Sequence, residues 1–182
     1  MSRVLVPLAQ GCEELEAVTI TDLLTRAGIE VVTAGLDDRP IKASRGMTLL
    51  ASTTINKVIN DSFDLVVLPG GLPGANHLRD NIHVQAILKH QIASNKPVAA
   101  VCAAPKALAS AGLLEGKTVT CYPGSLKDSG LSNTKITTSP VEIDGNIITS
   151  RGPGTAMDFA LTLIELLEGK QKRDEVNQQL VR

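Results

Sequence analysis

Short apolar runs that alternate with helical periods constrain this 182-residue chain more than any other feature. Leu65–Leu68 is continuously apolar, which is typical of a parallel strand that is covered on both faces. Val4–Leu8 and Val98–Val101 have the same character, and helical patterns separate them. Strands that alternate with helices predict an α/β fold with a mostly parallel central sheet, in a single domain over residues 1–182.

The other elements follow from residue spacing, turn residues and helix breakers. Helices are expected near Glu14–Ala27 and Val84–Ser94, and as a final pair that begins near Thr155 and Gln171 with a break at Gly169. Further strands are expected at Ile29–Ala34, in the irregular stretch Lys42–Ala51, and in a hairpin around Asp144-Gly145-Asn146. Because ligands bind at the carboxyl ends of parallel strands, the candidate site loops are Ala9–Glu13, Pro69–Gly74 and the turn at Cys102.

Composition excludes several classes of function. A net charge of −1 provides no basic surface for nucleic acid, and an aromatic content of 2% provides no platform for stacking bases. No stretch is apolar for long enough to span a bilayer, and the first residues read as a strand rather than as a leader. Three cysteines without disulfide or zinc spacing indicate a reducing cytoplasm and no metal site. The three histidines are expected at the surface: His77, His83 and His90.

Cys102 stands where an apolar strand turns directly into a helix. A side chain on such a corner projects from the end of the sheet, and the following backbone N–H groups point towards it, as in a nucleophile elbow with sulfur in place of the hydroxyl. Ala100 and Ala104 are small enough for the tight turn, and the helix N-terminus is expected to lower the thiol pKa. A structural role stays open at this point, because most free cysteines are simply small buried apolar residues.

Glu16 differs from the other carboxylates of the first helix. It shares a stripe with Ile20, Leu23 and Ala27, at spacings of four, seven and eleven residues, and therefore faces the core. Burial is expected to raise its pKa, and an adjacent thiolate would raise the pKa further. A protonated Glu16 could then donate a hydrogen bond to the sulfur and act as an acid and base. The alternative is a partly exposed helix acid.

Backbone donors for an oxyanion are expected from Gly70 and Gly71 in the glycine-rich loop and from Ala103 after the cysteine. A plain turn between strand and helix is the alternative. The glycine spacing fits neither a dinucleotide fingerprint nor a phosphate-binding loop. Arg151, which precedes a Gly-Pro-Gly turn, is either an anion ligand or a structural charge.

Six segments spread over almost the whole chain combine into one pattern: Glu13-Glu14-Leu15-Glu16, Arg26-Ala27-Gly28-Ile29, Ser44-Arg45-Gly46, Val67-Leu68-Pro69-Gly70-Gly71, Ala100-Val101-Cys102-Ala103-Ala104-Pro105 and Thr149-Ser150-Arg151-Gly152-Pro153-Gly154-Thr155. Together they resemble the ThiJ/PfpI superfamily, in particular its parkinsonism-associated protein deglycase branch with bacterial YajL-type members. The resemblance implies a flavodoxin-like three-layer sandwich that forms a homodimer. It also implies Cys102 as a nucleophilic, redox-sensitive thiolate with protonated Glu16 as its partner, and N–H groups of Gly71 and Ala103 around the substrate oxygen.

Two positions bear on mechanism. Where many relatives place a histidine near the cysteine, this chain has Tyr122. A phenol with an unperturbed pKa of ~10 is a poor base at neutral pH, so no Cys–His–Glu triad is carried over, and Tyr122 is expected to line the pocket. Peptidases and the stronger glyoxalases of the superfamily carry a histidine directly after the cysteine. Here that residue is Ala103, so a peptidase is not expected.

The resemblance implies a cofactor-independent cysteine enzyme that acts on methylglyoxal, glyoxal or their early adducts on proteins and nucleotides. Such an enzyme releases lactate or glycolate and protects the cell against carbonyl and oxidative stress. Its partners would be small aldehydes or glycated side chains. The alternative is an oxidative-stress sensor or redox-regulated chaperone that uses oxidation of Cys102 without turnover. Thiamine-precursor synthesis is disfavoured, because nothing in the sequence identifies a thiazole or pyrimidine phosphate site.

Overall fold

A seven-stranded sheet forms the centre of the computed structural model, which describes residues 1–181. In order across the sheet, the strands are β10 (Val141–Asp144), β11 (Ile147–Ser150), β7 (Val98–Val101), β6 (Leu65–Leu68), β1 (Arg3–Leu8), β2 (Glu30–Gly35) and β5 (Thr53–Thr54). Every neighbouring pair is parallel except β10 with β11. The predicted mostly parallel sheet is confirmed.

Helices cover both faces of the sheet: α1 (Glu14–Arg26), α2 (Gly74–Asp80), α3 (Ile82–Ala93), α4 (Pro105–Ser110) and α5 (Ala156–Gln179). The two faces carry separate apolar clusters, because alternate residues of each strand point in opposite directions. Val4 and Val6 pack on the side of α1 and α5, whereas Leu5 packs on the side of α3 and α4. The result is the three-layer, flavodoxin-like sandwich that the resemblance implied.

The long elements lie close to their expected positions. The first helix ends at Arg26 rather than Ala27, and the hairpin of β10 and β11 is antiparallel as predicted. The irregular stretch resolves into a small hairpin of β3 (Ile41–Lys42) and β4 (Thr48–Leu49). The break at Gly169 is also confirmed, since this residue has φ 85° and ψ 169° inside α5.

The sequence patterns missed α2 and a small parallel pair, β8 (Thr118–Thr120) and β9 (Lys135–Thr137). The seven residues of α2 include Gly, Asn, His and Asp, which are poor or moderate helix formers, so tertiary packing rather than propensity forms this helix. Strands of three residues are too short to show an alternating pattern.

Candidate functional site

Cys102 lies in a strained turn between β7 and α4. Its φ of 62° falls in the left-handed region that residues other than glycine rarely adopt. The Cys102 N–H donates to the Ser150 carbonyl at 2.9 Å, and the Cys102 carbonyl accepts from the Tyr122 N–H at 2.8 Å. Because both the N–H and the carbonyl of Cys102 are held by hydrogen bonds, the surrounding structure can maintain the strained backbone. This is the geometry of the predicted elbow, and it leaves Cys102 8% exposed.

Glu16 reaches the same point from α1. Its side chain is fully buried, and Ile20, Leu23 and Ala27 are buried on the same stripe, as predicted. The Gly70 N–H donates to Glu16 Oε2 at 2.8 Å, whereas the buried Oε1 lacks a well-formed hydrogen bond. A Cβ at Gly70 would lie 2.7 Å from the Cβ of Cys102 and 2.8 Å from Glu16 Oε2. Only glycine therefore allows the carboxyl, the loop and the cysteine to approach so closely.

The carboxyl of Glu16 is poised to hold a proton near neutral pH. Burial raises its pKa to about 7, and the nearby Glu13 acts in the same direction. The hydrogen bonds with Gly70 and with Cys102 favour the charged form and lower the pKa, but they do not offset the loss of solvent. The rise that the stripe of apolar neighbours predicted is thus confirmed.

The thiol of Cys102 behaves differently from the expectation. Burial raises its pKa above the ordinary value, and the charge and hydrogen bond of an ionised Glu16 raise it further. Hydrogen bonds from the N–H groups of Gly71 and Ala103 lower the pKa by less. The expected net lowering of this pKa is therefore wrong: the N–H groups at the turn do lower the pKa, but burial and Glu16 outweigh them. Protonation of Glu16 removes the part of this rise in pKa that its charge causes, so ionisation of the sulfur is less unfavourable while Glu16 carries a proton.

The loop residues divide into two groups. The N–H groups of Gly71 and Ala103 are directed to the sulfur. The N–H of Gly70 is instead bonded to Glu16, so Gly70 differs from the expectation that it serves an oxyanion. Gly71 itself adopts φ 89°, and a Cβ there would overlap the backbone of Glu13. The loop after β6 and the loop before α1 are therefore fitted to each other.

Glu14 anchors the N-terminus of α1 to the hairpin loop between β3 and β4. Its carboxylate accepts from the N–H groups of Arg45 at 3.0 Å and Met47 at 3.3 Å, and from the Ser44 hydroxyl at 3.3 Å. Burial alone would raise the pKa of Glu14, but these donors hold it below its ordinary value. Local sequence gave no sign of this contact, since the partners lie about thirty residues apart. The contact fixes the helix that carries Glu16.

A cleft of about 580 Å³ opens beside the elbow. Ala103 and half-exposed Tyr122 line it together with Leu72 and Lys106. Tyr122 lines the cleft, as the sequence predicted, and a Cβ added at Gly152 would lie 3.5 Å from Cδ2 of its ring. Arg151 donates to the Thr137 carbonyl at 3.4 Å, which favours its structural role.

The three histidines do not line the cleft beside the elbow. His77 and His90 are exposed and His83 is half-buried. Within residues 1–181, no three His, Cys, Asp or Glu side chains are grouped so that they could hold a metal ion. In the same residues, no helix is both long enough and apolar enough to cross a membrane.

Fold and site together define an α/β protein with a cysteine on a nucleophile elbow and a buried carboxyl beside it. The chain matches the DJ-1/PfpI family over residues 2–166. It belongs to this family, as the sequence resemblance indicated.

Individual relatives cover nearly all of the chain. Drosophila melanogaster protein dj-1beta is 45% identical, over 94% of this chain and 92% of that protein. The Caenorhabditis elegans glutathione-independent glyoxalase DJR-1.2 is 33% identical, over 92% of this chain and 89% of that protein. The Arabidopsis thaliana protein DJ-1 homolog B is 42% identical over 98% of this chain, which spans only 41% of that longer protein.

Solved structures agree with the fold. The structure of oxidized Toxoplasma gondii DJ-1 superposes with a TM-score of 0.94 at 39% identity, and the superposition covers 100% of this chain and 98% of that chain. The flavodoxin-like architecture is therefore that of the DJ-1 family.

Proposed function

We propose that this protein is a cofactor-independent cysteine enzyme that converts methylglyoxal, glyoxal or their early adducts into hydroxy acids. The observation that carries the proposal is the contact between the Cys102 thiol and the buried Glu16 carboxyl, with the N–H groups of Gly71 and Ala103 directed to the sulfur. The relative named as a glutathione-independent glyoxalase supports the same class of reaction. Such a reaction needs a nucleophile, a proton shuttle and oxyanion donors within one small space.

In the proposed reaction, Cys102 adds as a thiolate, with Glu16 protonated, to the aldehyde carbon of methylglyoxal. The aldehyde oxygen takes the proton held by Glu16, and the product is a hemithioacetal. Glu16, now ionised, removes the hydrogen from this carbon to give an enediolate. The hydroxyl proton then moves to the neighbouring oxygen, and Glu16 returns its proton to the neighbouring carbon. The product of this rearrangement is a lactoyl thioester. Water then hydrolyses the thioester, which releases lactate and restores the thiol. A carboxyl with a pKa of about 7 suits both directions of proton transfer at neutral pH.

A second candidate, a sensor or redox-regulated chaperone that depends on oxidation of Cys102, rests on the same residues. Cys102 is the most exposed of three buried free cysteines, with Cys12 fully buried and Cys121 3% exposed. Sulfinate oxygens on Cys102 would accept from the N–H groups of Gly71 and Ala103 and from a protonated Glu16. The solved relative described as oxidized supports this possibility. Mild peroxide should then oxidise Cys102 first in peptide maps, and equal oxidation of all three cysteines would contradict it.

The proposal extends to assembly and location. We propose a homodimer, supported by exposed apolar side chains on α1 and beside β4, among them Val18 and Leu50. We also propose a reducing, cytoplasmic compartment, because the function depends on a free Cys102 thiol.

Lactate formation from methylglyoxal in the absence of glutathione tests the enzymatic proposal. Wild-type protein should form lactate, and Cys102→Ser should form none, because a serine hydroxyl does not ionise near neutral pH. Cys121→Ser, a change at a second buried cysteine, should retain activity. Lactate at the wild-type rate from Cys102→Ser would exclude the thiol mechanism.

A further inference from the structure

The cleft beside the elbow is much larger than the proposed small substrate. Volumes of roughly 300–1,000 Å³ accommodate ligands of drug size, and this cleft measures about 580 Å³. Methylglyoxal has only three carbons and would fill the part nearest Ala103. The rest of the cleft runs between α2, α4 and the segment from Tyr122 to Ser129. This space is suited to the carrier group of a larger adduct.

The charges that line the cleft are not equivalent. Arg79 is neutralised by two hydrogen bonds to Asp80, at 2.6 and 2.8 Å. Half-buried Lys106 donates instead to the uncharged amide oxygen of Asn76, at 2.9 Å. Among the described residues, no carboxylate forms an ion pair with Lys106, although its charge is felt at Asp80. An ammonium group has three donors, so Lys106 retains donors for a ligand.

Asp128 is the opposing charge. It lines the cleft from the segment after Tyr122 and is exposed to solvent. Solvent and salt screen an exposed charge more effectively than a half-buried one, so the field of Lys106 should dominate near the elbow. Lys106 also lies only four residues after Cys102, in the first turn of α4.

We infer that Lys106 is a specificity-determining residue that selects substrates with an anionic group on the carrier, either a carboxylate or a phosphate. This deepens the proposed function and rests on it for the identity of the reaction. The free aldehyde needs no such contact, whereas an adduct on an amino acid or a nucleotide carries the required anion. Asn76 orients the Lys106 side chain, and the anion takes its remaining donors.

Alkylation of Cys102 tests the inference without turnover. Iodoacetate and iodoacetamide are similar in size but differ in charge, and the ratio of their rate constants cancels changes in thiol reactivity. Peptide mass spectrometry would follow Cys102 in wild type, Lys106→Met, Asp128→Asn and the distant exposed control Lys170→Met. We expect Lys106→Met to lower the iodoacetate-to-iodoacetamide ratio by about threefold or more. Asp128→Asn should raise the ratio, Lys170→Met should leave it unchanged, and high salt should reduce all differences.

An unchanged ratio in Lys106→Met would overturn the inference, whether or not the protein turns over methylglyoxal. Absence of lactate from wild type, with the ratio still dependent on Lys106, would instead overturn the proposed reaction alone. Two pairs of substrates distinguish a carboxylate from a phosphate. The first pair is the methylglyoxal adduct of N-acetylcysteine and that of its methyl ester, which lacks the carboxylate. The second pair is the adduct of guanosine monophosphate and that of guanosine, which lacks the phosphate. The wild-type protein should prefer the charged member of at least one pair, and Lys106→Met should lose that preference through a higher KM. Equal KM values within both pairs would contradict the inference.

Discussion

At the scale of single residues, Cys102 and Glu16 form a pair in which each side chain controls the proton of the other. Both groups are buried, and ionisation of either one makes ionisation of the other less favourable. The pair therefore retains at least one proton at neutral pH. This coupling makes Glu16 suitable as a proton shuttle, whereas an exposed carboxylate with an ordinary pKa would remain ionised.

The raised pKa of Glu16 predicts how folding stability changes with pH. The ordinary pKa of a glutamate carboxyl is 4.5, whereas the pKa of Glu16 in the folded protein is about 7. The folded state thus binds the proton more tightly, and the wild type loses stability as the pH rises from 4.5 towards 7. The amide side chain of the variant Glu16→Gln cannot ionise. As the pH rises across this range, the free energy of unfolding of the variant should therefore increase, relative to that of wild type, by on the order of 3 kcal/mol.

Urea denaturation at about pH 4.5 and at about pH 8 would measure the difference. Glu168→Gln, at an exposed position of α5, is the matched control. A difference between Glu16→Gln and wild type that is the same at both pH values would show that the carboxyl is not perturbed by burial.

At the scale of elements, the loop before α1 and the loop after β6 meet because each has glycine where the backbone of the other passes. The loop after β6 approaches the loop before α1, and the Glu13 N–H donates to the Gly70 carbonyl at 2.9 Å. The Gly74 N–H donates to the Gly11 carbonyl at 3.2 Å. These contacts set the distance between α1, which carries Glu16, and the elbow, which carries Cys102.

Gly70→Ala should disrupt this arrangement. The added Cβ would lie 2.7 Å from the Cβ of Cys102, so the loop or the carboxyl must shift. We expect a loss of about 1–3 kcal/mol in stability, and a fall of about tenfold or more in lactate formation. Gly154→Ala is the matched control, because a Cβ there meets nothing within 4 Å. Thermal unfolding and the lactate assay measure both effects, and full activity in Gly70→Ala would contradict the proposed packing of the site.

The sequence predicts those elements whose pattern is local. Leu65–Leu68 and Val98–Val101 read as buried parallel strands, and the stripe from Glu16 to Ala27 identified the carboxyl that faces the core. Features that depend on distant segments were not predictable. The bond between Glu14 and the Arg45 backbone joins segments 31 residues apart. The sign of the pKa shift of Cys102 depends on burial and on Glu16, neither of which the local turn pattern encodes.

At the scale of the whole molecule, an apolar surface on α1 and the β3–β4 hairpin is left uncovered. Val18 and Leu50 line one shallow depression there, and Leu15 of α1 and Met47 of the hairpin loop are also exposed. Exposed apolar side chains that are grouped in this way are typical of an interface between proteins. It lies beside the loop that Glu14 holds, so a second copy docked there would stabilise the helix that carries Glu16.

Light scattering during size-exclusion chromatography tests the proposed homodimer. The wild type should elute with the mass of two chains, and Val18→Lys and Leu50→Lys should shift it towards one chain, because a buried lysine lacks a partner. Ile143→Lys changes another exposed apolar residue, on β10, and should have no effect. A wild type that remains monomeric at all concentrations would contradict the proposal.

A double-mutant cycle tests most directly whether Cys102 and Glu16 act as one functional unit. The measured quantity is kcat/KM for lactate formation from methylglyoxal in wild type, Cys102→Ser, Glu16→Gln and the double variant. If the two side chains serve one reaction path, either single change abolishes it and the double variant is no worse than either single variant. A shared role would be contradicted if the losses of kcat/KM in the two single variants, expressed as free energies, summed to the loss in the double variant. Full activity in Glu16→Gln would contradict it as well.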